Sequence, residues 1–436
     1  MKKKLAIIST FDDLCGIASY TRHLMVQLKP YYEITVFDLD QFVFRGDSNS
    51  LKKLADNETR RIVNELQNFD ALNIQLEHGT LGKSPKDIVK RLGMFIQAAP
   101  AVCVTFHTVI PHKSLMSGVV SLAAKGRVKS AFLQYRTNLK NYQLVVGVDR
   151  LIRQAQTKKP TSVLVHTRRD AKNFKLLKKF DNVHNHPLAY LTYSEVEEIK
   201  NTTTLDKDFP QLAYNFKEGN VLLGVFGFFG RYKGLETVLS ALRLLPENYH
   251  VAIFGGLHPN SIEANVDINE YLGSVVDQIN PNRTMLDEWS DANKDKASKI
   301  GVDDFYRLIK EKSFNDLTSR VHFMGSLSDQ DFPKAISICD VVLLPYLEVG
   351  QSASGPMSIA ADMGAVIIAS RTRAFMQFDR YNPNRIKMFD IGNYVQLSDM
   401  ILAVGETEHY KEFESSKYTV ESNVEVYKKA LFWDKN

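Results

Sequence analysis

The sequence predicts an α/β protein made of two doubly wound domains, and three observations support this. Short apolar runs alternate with amphipathic helical patterns, the runs are nearly continuous in Val, Ile and Leu, and the scheme starts again after a polar stretch near the middle. Parallel strands buried on both faces have this composition, and strand–helix alternation gives right-handed crossovers. A chain of 436 residues, 44% of them apolar, also suits two domains better than one.

Each expected strand is a short apolar run. The first half has runs at 5–10, 33–40, 70–78, 101–108 and 161–167, with helical patterns between them at 17–28, 51–69 and 85–99. The second half has runs at 221–228, 250–256, 321–327, 340–346 and 365–370. We therefore expect domains at 1–193 and 215–408, joined by a polar link around 194–220. Residues 257–320 are predicted to be an insertion, and a helical stretch at 409–436 is predicted to pack back on the first domain.

Composition and charge exclude several classes of protein. The net charge of +5, from 55 basic and 50 acidic residues, is too weak for a nucleic-acid-binding protein. Cys15, Cys103 and Cys339 lie far apart without metal-ligand spacing, so we expect reduced core cysteines in a cytoplasmic protein. The run at 5–10 is too short for a signal peptide, and no run approaches the roughly 18 apolar residues of a spanning helix. We expect a soluble protein, attached at most to a membrane surface.

Chemically useful residues end four of the runs in the first half. They are Ser9 and Thr10, Glu77 and His78, His107 and Thr108, and His166 and Thr167. Ligands of open parallel sheets bind outside the carboxyl ends of the strands, so this edge is predicted to line a binding site, although a single histidine there is usually structural. Gly16 lies in the turn after the first strand, where it lets a helix begin close to an anion. The GxGxxG pattern of a dinucleotide site is absent there, and a plain turn remains the alternative.

The segment GFFGRYKGLE at 227–236 follows a strand and opens a helix. Gly227, Gly230 and Gly234 make its backbone accessible, and Arg231 and Lys233 add two cations beside that backbone. A guanidinium fork and an ammonium next to free N–H groups suit a diphosphate. The alternative is a solvated turn with ordinary surface cations.

The segment GQSASGPMSIAADMG at 350–364 follows the run DVVLLPY. Its small residues keep the backbone open, Pro356 suits the first position of a helix, and Ser354 or Gly355 is expected to cap that helix. Gly364 then ends the helix. The loop N–H groups and the helix dipole predict an anion site at the end of the strand, and a tight turn of small residues is the alternative.

With these motifs in place, the sequence resembles the GT-B-fold glycosyltransferases, specifically the retaining enzymes of the GT4 type. The resemblance covers nearly the whole chain and is carried by IQLEHGTLG (74–82), VTFHT (104–108), GFFGRYKGLE, FGGLHP (254–259), VHFMGSLSDQDF (321–332) and LPYLEVGQSASGPMSIAADMGAVIIAS (344–370). It implies two Rossmann-like domains facing across a cleft. It also implies transfer of a sugar from a nucleotide diphosphate with retained anomeric configuration and without a required metal or cofactor.

The resemblance also assigns roles to residues. Arg231 and Lys233 match the pair that neutralises the donor diphosphate, Gly16 the first-domain glycine loop, and His107 a histidine near the donor sugar. The loop at 350–355 matches the cradle of backbone amides for the sugar hydroxyls and phosphates. Together with the turn at 227–236 and the neighbouring Glu348, it gives the candidate donor-binding residues Gly227, Gly230, Glu348, Gln351, Ser352, Ser354 and Gly355. Glu77 and His78 are candidates on the acceptor side. Many family members carry two glutamates eight positions apart, and those slots here hold Gln351 and Ile359, with Glu348 nearby but out of register.

Residues 113–140 contain six Lys or Arg and no acidic residue, interleaved with apolar residues. In the first domain of such enzymes this region borders the acceptor side. The segment is expected to meet an anionic membrane or lipid-linked acceptor, an acidic soluble acceptor, or only solvent.

The combined interpretation is a cytoplasmic retaining glycosyltransferase, peripheral at most to the membrane, that moves a sugar from a UDP- or GDP-sugar to a glycan or lipid-linked acceptor. A nucleotide-sugar epimerase on the same fold is one alternative, with Glu77 or Asp13 as acid/base groups. A catalytically silent nucleotide-sugar-binding partner is the other, because the two glutamates are missing.

Overall fold

The structure is a computed structural model that describes residues 2–111, 114–214, 216–257, 270–279, 317–406 and 417–432. The chain forms two compact units. The first comprises Met1–Tyr190, Gln351–Ala353 and Tyr418–Asn436, and the second comprises Leu191–Gly350 and Ser354–Lys417.

The first unit is built on a parallel sheet of six strands. Its strands are β1 (Lys3–Ser9), β2 (Tyr32–Asp38), β3 (Ala71–Leu76), β4 (Val102–Phe106), β5 (Thr161–Val165) and β6 (Val183–Asn185). Their order is β2-β1-β3-β4-β5-β6, so the chain leaves β1 to one side and returns to the other at β3. The topological switch point, where open α/β sheets bind ligands, therefore lies between β1 and β3.

Helices cover this sheet because its central strands are apolar on both faces. Strands β3, β4 and β5 are buried along their whole length. The helices of this unit are Gly16–Leu28, Gln41–Phe44, Asn49–Leu66, Pro85–Ala98, Val119–Ala124, Val128–Lys158, Arg168–Leu176 and Val420–Leu431. The last of these comes from the far end of the chain and contacts β3, β4, β5 and β6.

The second unit repeats the architecture with strands β7 (Val221–Phe226), β8 (Tyr249–Phe254), β9 (Val321–Gly325), β10 (Val341–Leu344), β11 (Ile367–Ser370) and β12 (Lys387–Phe389). All are parallel, in the order β12-β11-β10-β7-β8-β9. The chain runs outward from β7 to β9 and then returns to β10 on the other side of β7. The switch point of this sheet therefore lies between β7 and β10.

The helices of the second unit are Tyr193–Thr202, Leu205–Asp208, Pro210–Ala213, Leu235–Leu242, Glu270–Ile279, Asp331–Ser337, Gly355–Asp362, Arg373–Tyr381 and Tyr394–Glu406. The first three helices lie in the segment around 194–220 that was predicted to be a polar link. This segment belongs to the second unit. The helix at 193–202 begins in a capping box, Thr192 with Glu195, and it contacts the helix Asp331–Ser337. Polar composition alone was therefore a wrong guide to this segment.

Two strands were not predicted from the sequence. Strands β6 and β12 are three residues long and lie at the sheet edges, where a long apolar run is not required. Of the predicted insertion at 257–320, residues 258–269 and 280–316 lie outside the described residues, as do 409–416 and 433–436 of the predicted C-terminal stretch.

The cysteines and helices bear on two further expectations. Cys103 and Cys339 are free and buried, but Cys15 is half-buried and caps the helix Gly16–Leu28, with Sγ accepting from the Ala18 N–H at 3.4 Å. It is therefore not the core residue expected. None of the described helices is long and apolar enough to cross a bilayer.

Candidate functional site

The loops after β7 and β10 touch each other at the switch point of the second sheet. The Leu347 N–H donates to the Tyr232 carbonyl at 2.7 Å. Gly234, with a φ of 66°, lies so close that an added Cβ would stand 2.0 Å from the Pro345 carbonyl oxygen. Because this carbonyl belongs to the backbone and cannot move aside, only glycine can occupy position 234. The two glycine-rich motifs of the second half thus form one structure.

Lys233 is the most unusual residue of this structure, because its ammonium is buried. The residue is 6% exposed, and Nζ lies 4.0 Å from the ring centre of Tyr346 and 5.1 Å from that of Tyr232. Nζ also donates to the Tyr346 hydroxyl. Burial lowers the pKa of Lys233, and the neighbouring Tyr232 partly opposes this. In the described part of the chain, no carboxylate lies within ion-pair distance of this ammonium.

Glycines leave the room that Lys233 occupies. Gly227 has a φ of 111°, and a Cβ there would lie 2.6 Å from Nζ of Lys233 and 3.0 Å from its Cε. Gly255, at the end of β8, is equally crowded, since a Cβ would lie 2.0 Å from the Gly227 carbonyl oxygen. Gly230 is different, because its φ of −166° is extended backbone that any residue adopts. Gly227 is therefore required to position the ammonium, whereas Gly230 caps the short 3-10 turn Arg231–Lys233.

Arg231 lies two residues before Lys233 and is exposed. Its guanidinium carbon stands 5.9 Å from the ring centre of Tyr271. Stacking on a ring fixes the plane of a guanidinium while leaving its N–H edge free to bind an anion. Arg231 and Lys233 thus supply one exposed and one buried cation on the same turn.

The loop after β10 leads into the helix Gly355–Asp362, which Ser354 caps as predicted: Oγ accepts from the Met357 N–H at 3.4 Å. The Ser354 side chain also hydrogen-bonds Tyr346, the residue that holds Lys233. Gly355 is the first residue of this helix, and Gly364 ends it with a φ of 73°. Ile359, in one of the slots the resemblance gives to glutamate, is buried in the core.

Glu348, a predicted donor contact, is engaged by backbone in this structure. One carboxylate oxygen accepts from the Gly350 N–H at 2.9 Å and the other from the Arg373 N–H at 2.7 Å. Arg373 is the first residue of the helix Arg373–Tyr381, where a carboxylate is favourable. These contacts give Glu348 a structural role in shaping the loop.

Gln351 and Ser352 belong to the first unit. Ser352 is buried, its Oγ accepts from the Val109 N–H at 3.4 Å, and its side chain hydrogen-bonds Asp170. Burial raises the pKa of Asp170, and hydrogen bonds from Thr167 and Ser352 oppose this. Ser352 is thus held among residues that follow β4 and β5, and Gln351 is half-buried beside it.

His107 follows β4 and is half-buried in a polar cluster of the first unit. Its Nε2 lies 2.7 Å from Oε1 of Gln75, and its ring contacts those of Tyr20 and His166. Burial and the neighbouring His166 hold the pKa of His107 well below its usual value, so the imidazole is neutral at pH 7. Because a carbonyl oxygen only accepts, Nε2 carries the proton and Nδ1 keeps a free lone pair.

His166 and His78 lie at the ends of the strands on either side. Nδ1 of His166 is 3.1 Å from the His186 carbonyl oxygen, and within the described residues its buried Nε2 has no hydrogen-bond partner. His78 is buried in the turn His78–Leu81 against Phe106. Burial lowers the pKa of His78 and of His166 to about 4. The three predicted histidines therefore follow β3, β4 and β5, neighbouring strands of one sheet.

Glu77 lies beside His78 at the switch point of the first sheet. One of its oxygens accepts from the Thr108 hydroxyl at 2.7 Å. Burial raises the pKa of Glu77, although hydrogen bonds from Thr108 and the His78 N–H oppose this. A half-buried carboxyl whose pKa is raised is suited to proton transfer.

Gly16 begins the helix Gly16–Leu28 and is exposed. An added Cβ would meet no atom within 4 Å, so packing gives no reason for glycine at this position.

Among the described residues, no three His, Cys, Asp or Glu side chains form a group that could hold a metal ion. Sequence reasoning missed the roles of Tyr232 and Tyr346, which contact Lys233. Tyr232 lies inside the motif at 227–236 and Tyr346 ends the run at 340–346, so proximity to these motifs was the available signal.

No protein-family model matches the sequence, and the search of curated proteins gives no match. Solved structures match over nearly the whole chain. The Anabaena protein HepE, in complex with UDP and glucose, has 14% identity and a TM-score of 0.51, covering 99% of this chain and 95% of its own. Sucrose-phosphate synthase from Thermosynechococcus elongatus has 13% identity and a TM-score of 0.54, covering 99% and 96%.

A third solved structure, a Listeria monocytogenes protein described as a UDP-N-acetylglucosamine 2-epimerase, has 11% identity and a TM-score of 0.50, covering 98% of this chain and 96% of its own. At these identities the likeness concerns the fold. The prediction of two Rossmann-like, doubly wound α/β domains of the GT-B type is confirmed. The roles predicted for individual site residues stay predictions.

Proposed function

We propose that this protein is a glycosyltransferase whose donor is a nucleotide diphosphate sugar and whose second unit binds the diphosphate at the loops after β7 and β10. One observation carries the proposal: the ammonium of Lys233 is buried between two tyrosines at the switch point, without a carboxylate in ion-pair distance among the described residues.

An ammonium buried without a counter-charge is unfavourable, because burial removes water and the tyrosines replace only part of its solvation. The pKa of Lys233 is accordingly lowered. A bound diphosphate supplies the missing negative charge and favours the charged form of the lysine. Binding of the diphosphate thus removes the cost of burying an uncompensated ammonium, and this gain in free energy favours ligand binding.

The same groups account for catalysis. When the bond between sugar and phosphate breaks, negative charge grows on the departing β-phosphate. Lys233 and the guanidinium of Arg231 are fixed before the reaction, so they stabilise this charge more in the transition state than in the ground state. Because the leaving phosphate can itself accept the proton of the acceptor hydroxyl, we propose a reaction with retained configuration and without a metal.

Two residues of the first unit, His107 and Gly16, are proposed to keep the roles that the sequence resemblance gives them. We propose that the free lone pair on Nδ1 of His107 accepts a hydrogen bond from a sugar hydroxyl, since the imidazole is neutral at pH 7. The open helix start at Gly16 is proposed to approach phosphate. The solved structure of HepE with UDP and glucose favours UDP as the nucleotide.

The test is the thermal unfolding of the protein with UDP, GDP and their sugars. A ligand at about 100 times its Kd stabilises the folded state by about 2.7 kcal/mol, which raises the unfolding midpoint by several degrees. Arg231→Ala should weaken binding by about ten- to a hundredfold, the loss expected for a hydrogen bond to a charged group. Lys233→Met should abolish the shift while raising the stability of the unliganded protein, because it removes an unpaired buried charge at similar volume.

The matched control is Lys387→Ala, which removes an exposed cation from edge strand β12 of the same sheet. This variant should keep the full ligand-dependent shift. If Arg231→Ala and Lys233→Met respond to UDP and GDP as the wild type does, the proposed diphosphate site is in the wrong place.

Glu77 favours a nucleotide-sugar epimerase as the second candidate. Its raised pKa suits proton transfer, and a structure of similar fold is described as an epimerase. Incubation with UDP-N-acetylglucosamine in the absence of acceptor separates the two. An epimerase yields a second sugar or its elimination product, and Glu77→Gln abolishes that yield. A transferase instead releases UDP and free sugar slowly by hydrolysis.

A further inference from the structure

One face of the helix Val128–Lys158 exposes apolar side chains to solvent. Val128, Phe132 and Leu133 are 70%, 62% and 65% exposed. At roughly 100° per residue they lie within an arc of roughly 140° that also contains Lys129, Arg136 and Lys140. We call these six residues the basic face. It points away from the protein, because Ala131 and Asn138 on the opposite side of the same turns are buried.

The part of the protein that carries the basic face is firmly held. The Asn138 amide donates to the carbonyls of Leu115 and Ser117 at 3.0 and 2.9 Å, and the helix Val119–Ala124 packs against the helix Val128–Lys158. Met116, just before the helix Val119–Ala124, and Val120 within it add exposed apolar surface. The exposed surface is therefore a defined feature of the fold.

Charge on the basic face has one sign. Lys125 and Arg127, in the turn between the two helices, add to its three cations, and the sequence from 113 to 140 contains no acidic residue. The Arg136 guanidinium lies 5.9 Å from the ring centre of Phe132, so cation and apolar group are intermixed. A binding partner must accept both positive charge and exposed apolar side chains on one surface.

We propose that the basic face binds the surface of an anionic lipid bilayer, with Val128, Phe132 and Leu133 entering the boundary between headgroups and acyl chains. Helices that lie on bilayers combine Lys and Arg with large apolar residues in this way. Nucleic acid fits less well, because aliphatic side chains such as Val128 and Leu133 offer bases no ring to stack on. This inference goes beyond the proposed function and does not depend on the donor site.

The experiment is flotation of the full-length protein with vesicles of phosphatidylcholine alone or mixed with phosphatidylglycerol. The wild type should bind the mixed vesicles and not the neutral ones. Replacing the cations in K129Q/R136Q/K140Q should lower the partition coefficient by about 100-fold, given the contribution of a cation near an anionic surface. Removing the apolar groups in F132S/L133S should lower it by about tenfold or more.

Two matched controls exclude general effects of substitution. F42S/L54S removes two exposed apolar side chains elsewhere in the first unit, and K53Q/R60Q/K86Q removes three exposed cations there. Both should bind vesicles as the wild type does. If F132S/L133S keeps full binding while the charge variant loses it, the cations alone account for the binding, and the proposed entry of the apolar side chains into the bilayer is overturned. Wild-type binding that is equal on neutral and anionic vesicles also overturns it.

Discussion

The lack of a Cβ at Gly227 leaves the space that the Lys233 ammonium occupies. A Cβ on Gly227 would lie 2.6 Å from Nζ, at a backbone φ of 111° that side chains rarely adopt. We therefore expect Gly227→Ala to displace the ammonium and to weaken UDP binding by about tenfold or more, the value of a lost charge-assisted hydrogen bond. Calorimetric titration of the variant with UDP measures this loss.

Gly219→Ala, outside the proposed site, is the control for backbone strain. Gly219 precedes β7 and has a φ of 86°, but a Cβ there meets no atom within 4 Å. Both variants should lose about 1 to 2 kcal/mol of unfolding free energy from strain. Only Gly227→Ala should also lose affinity for UDP, because only this variant displaces the Lys233 ammonium. Equal affinities for UDP in the two variants would contradict the assignment of Lys233 to the diphosphate.

The candidate site was visible in the sequence only in part, and the reason is physical. Glycines beside Arg231 and Lys233 indicate a turn with accessible backbone, so the sequence predicts this turn as a candidate anion site. The contact between Lys233 and Tyr346 depends on β10 lying next to β7, and strand order is not encoded in any local pattern. The backbone contacts of Glu348 depend likewise on a helix that begins at Arg373.

At the scale of elements, the helix Val420–Leu431 is an integral part of the first unit. The Tyr427 hydroxyl lies 3.2 Å from that of Thr105 and 3.4 Å from the Gln75 amide nitrogen, and Gln75 in turn holds His107. Tyr427 is fully buried. Tyr427→Ala should lower the free energy of unfolding by about 3 to 5 kcal/mol, as for other large core aromatics.

Denaturant unfolding measures this loss, and Lys429→Ala on the exposed side of the same helix should change stability by less than about 0.5 kcal/mol. Tyr427→Phe keeps the ring and removes only the hydroxyl, so it should lose about 1 kcal/mol and disturb His107 through Gln75. Similar small losses for Tyr427→Ala and Lys429→Ala would mean that the helix contributes little to the first unit.

Elements were predictable where burial imposes a pattern. Ten strands were predicted from apolar runs, most clearly the central strands β3, β4 and β5, because parallel strands between two helical layers have no exposed face. Strands β6 and β12 border their sheets on one side only and need just three residues, VHN and KMF. The helices between 193 and 213 are short and polar, so their stability comes from caps and packing that periodicity does not reveal.

At the scale of the molecule, the two units differ in their buried histidines. In the first unit, burial lowers the pKa of His78, His166 and His186 to about 4, and it also lowers the pKa of His107 and His184. In the second unit, His250 is the described histidine whose pKa is lowered. An unfolded chain takes up protons at these histidines near pH 6.5 whereas the folded unit does not, so acid favours unfolding.

We expect the first unit to lose a few kcal/mol of stability between pH 7 and 5.5 and the second unit to lose less. Each histidine whose pKa falls from 6.5 to about 4 removes up to about 1.4 kcal/mol per pH unit in this range. Hydrogen exchange read by mass spectrometry resolves the units, since peptides from β3–β5 and from β7, β8 and β10 report separately. His78→Leu, which removes one titrating group, should make the loss in the first unit shallower. Equal losses of protection in both sets of peptides would contradict this origin of acid sensitivity.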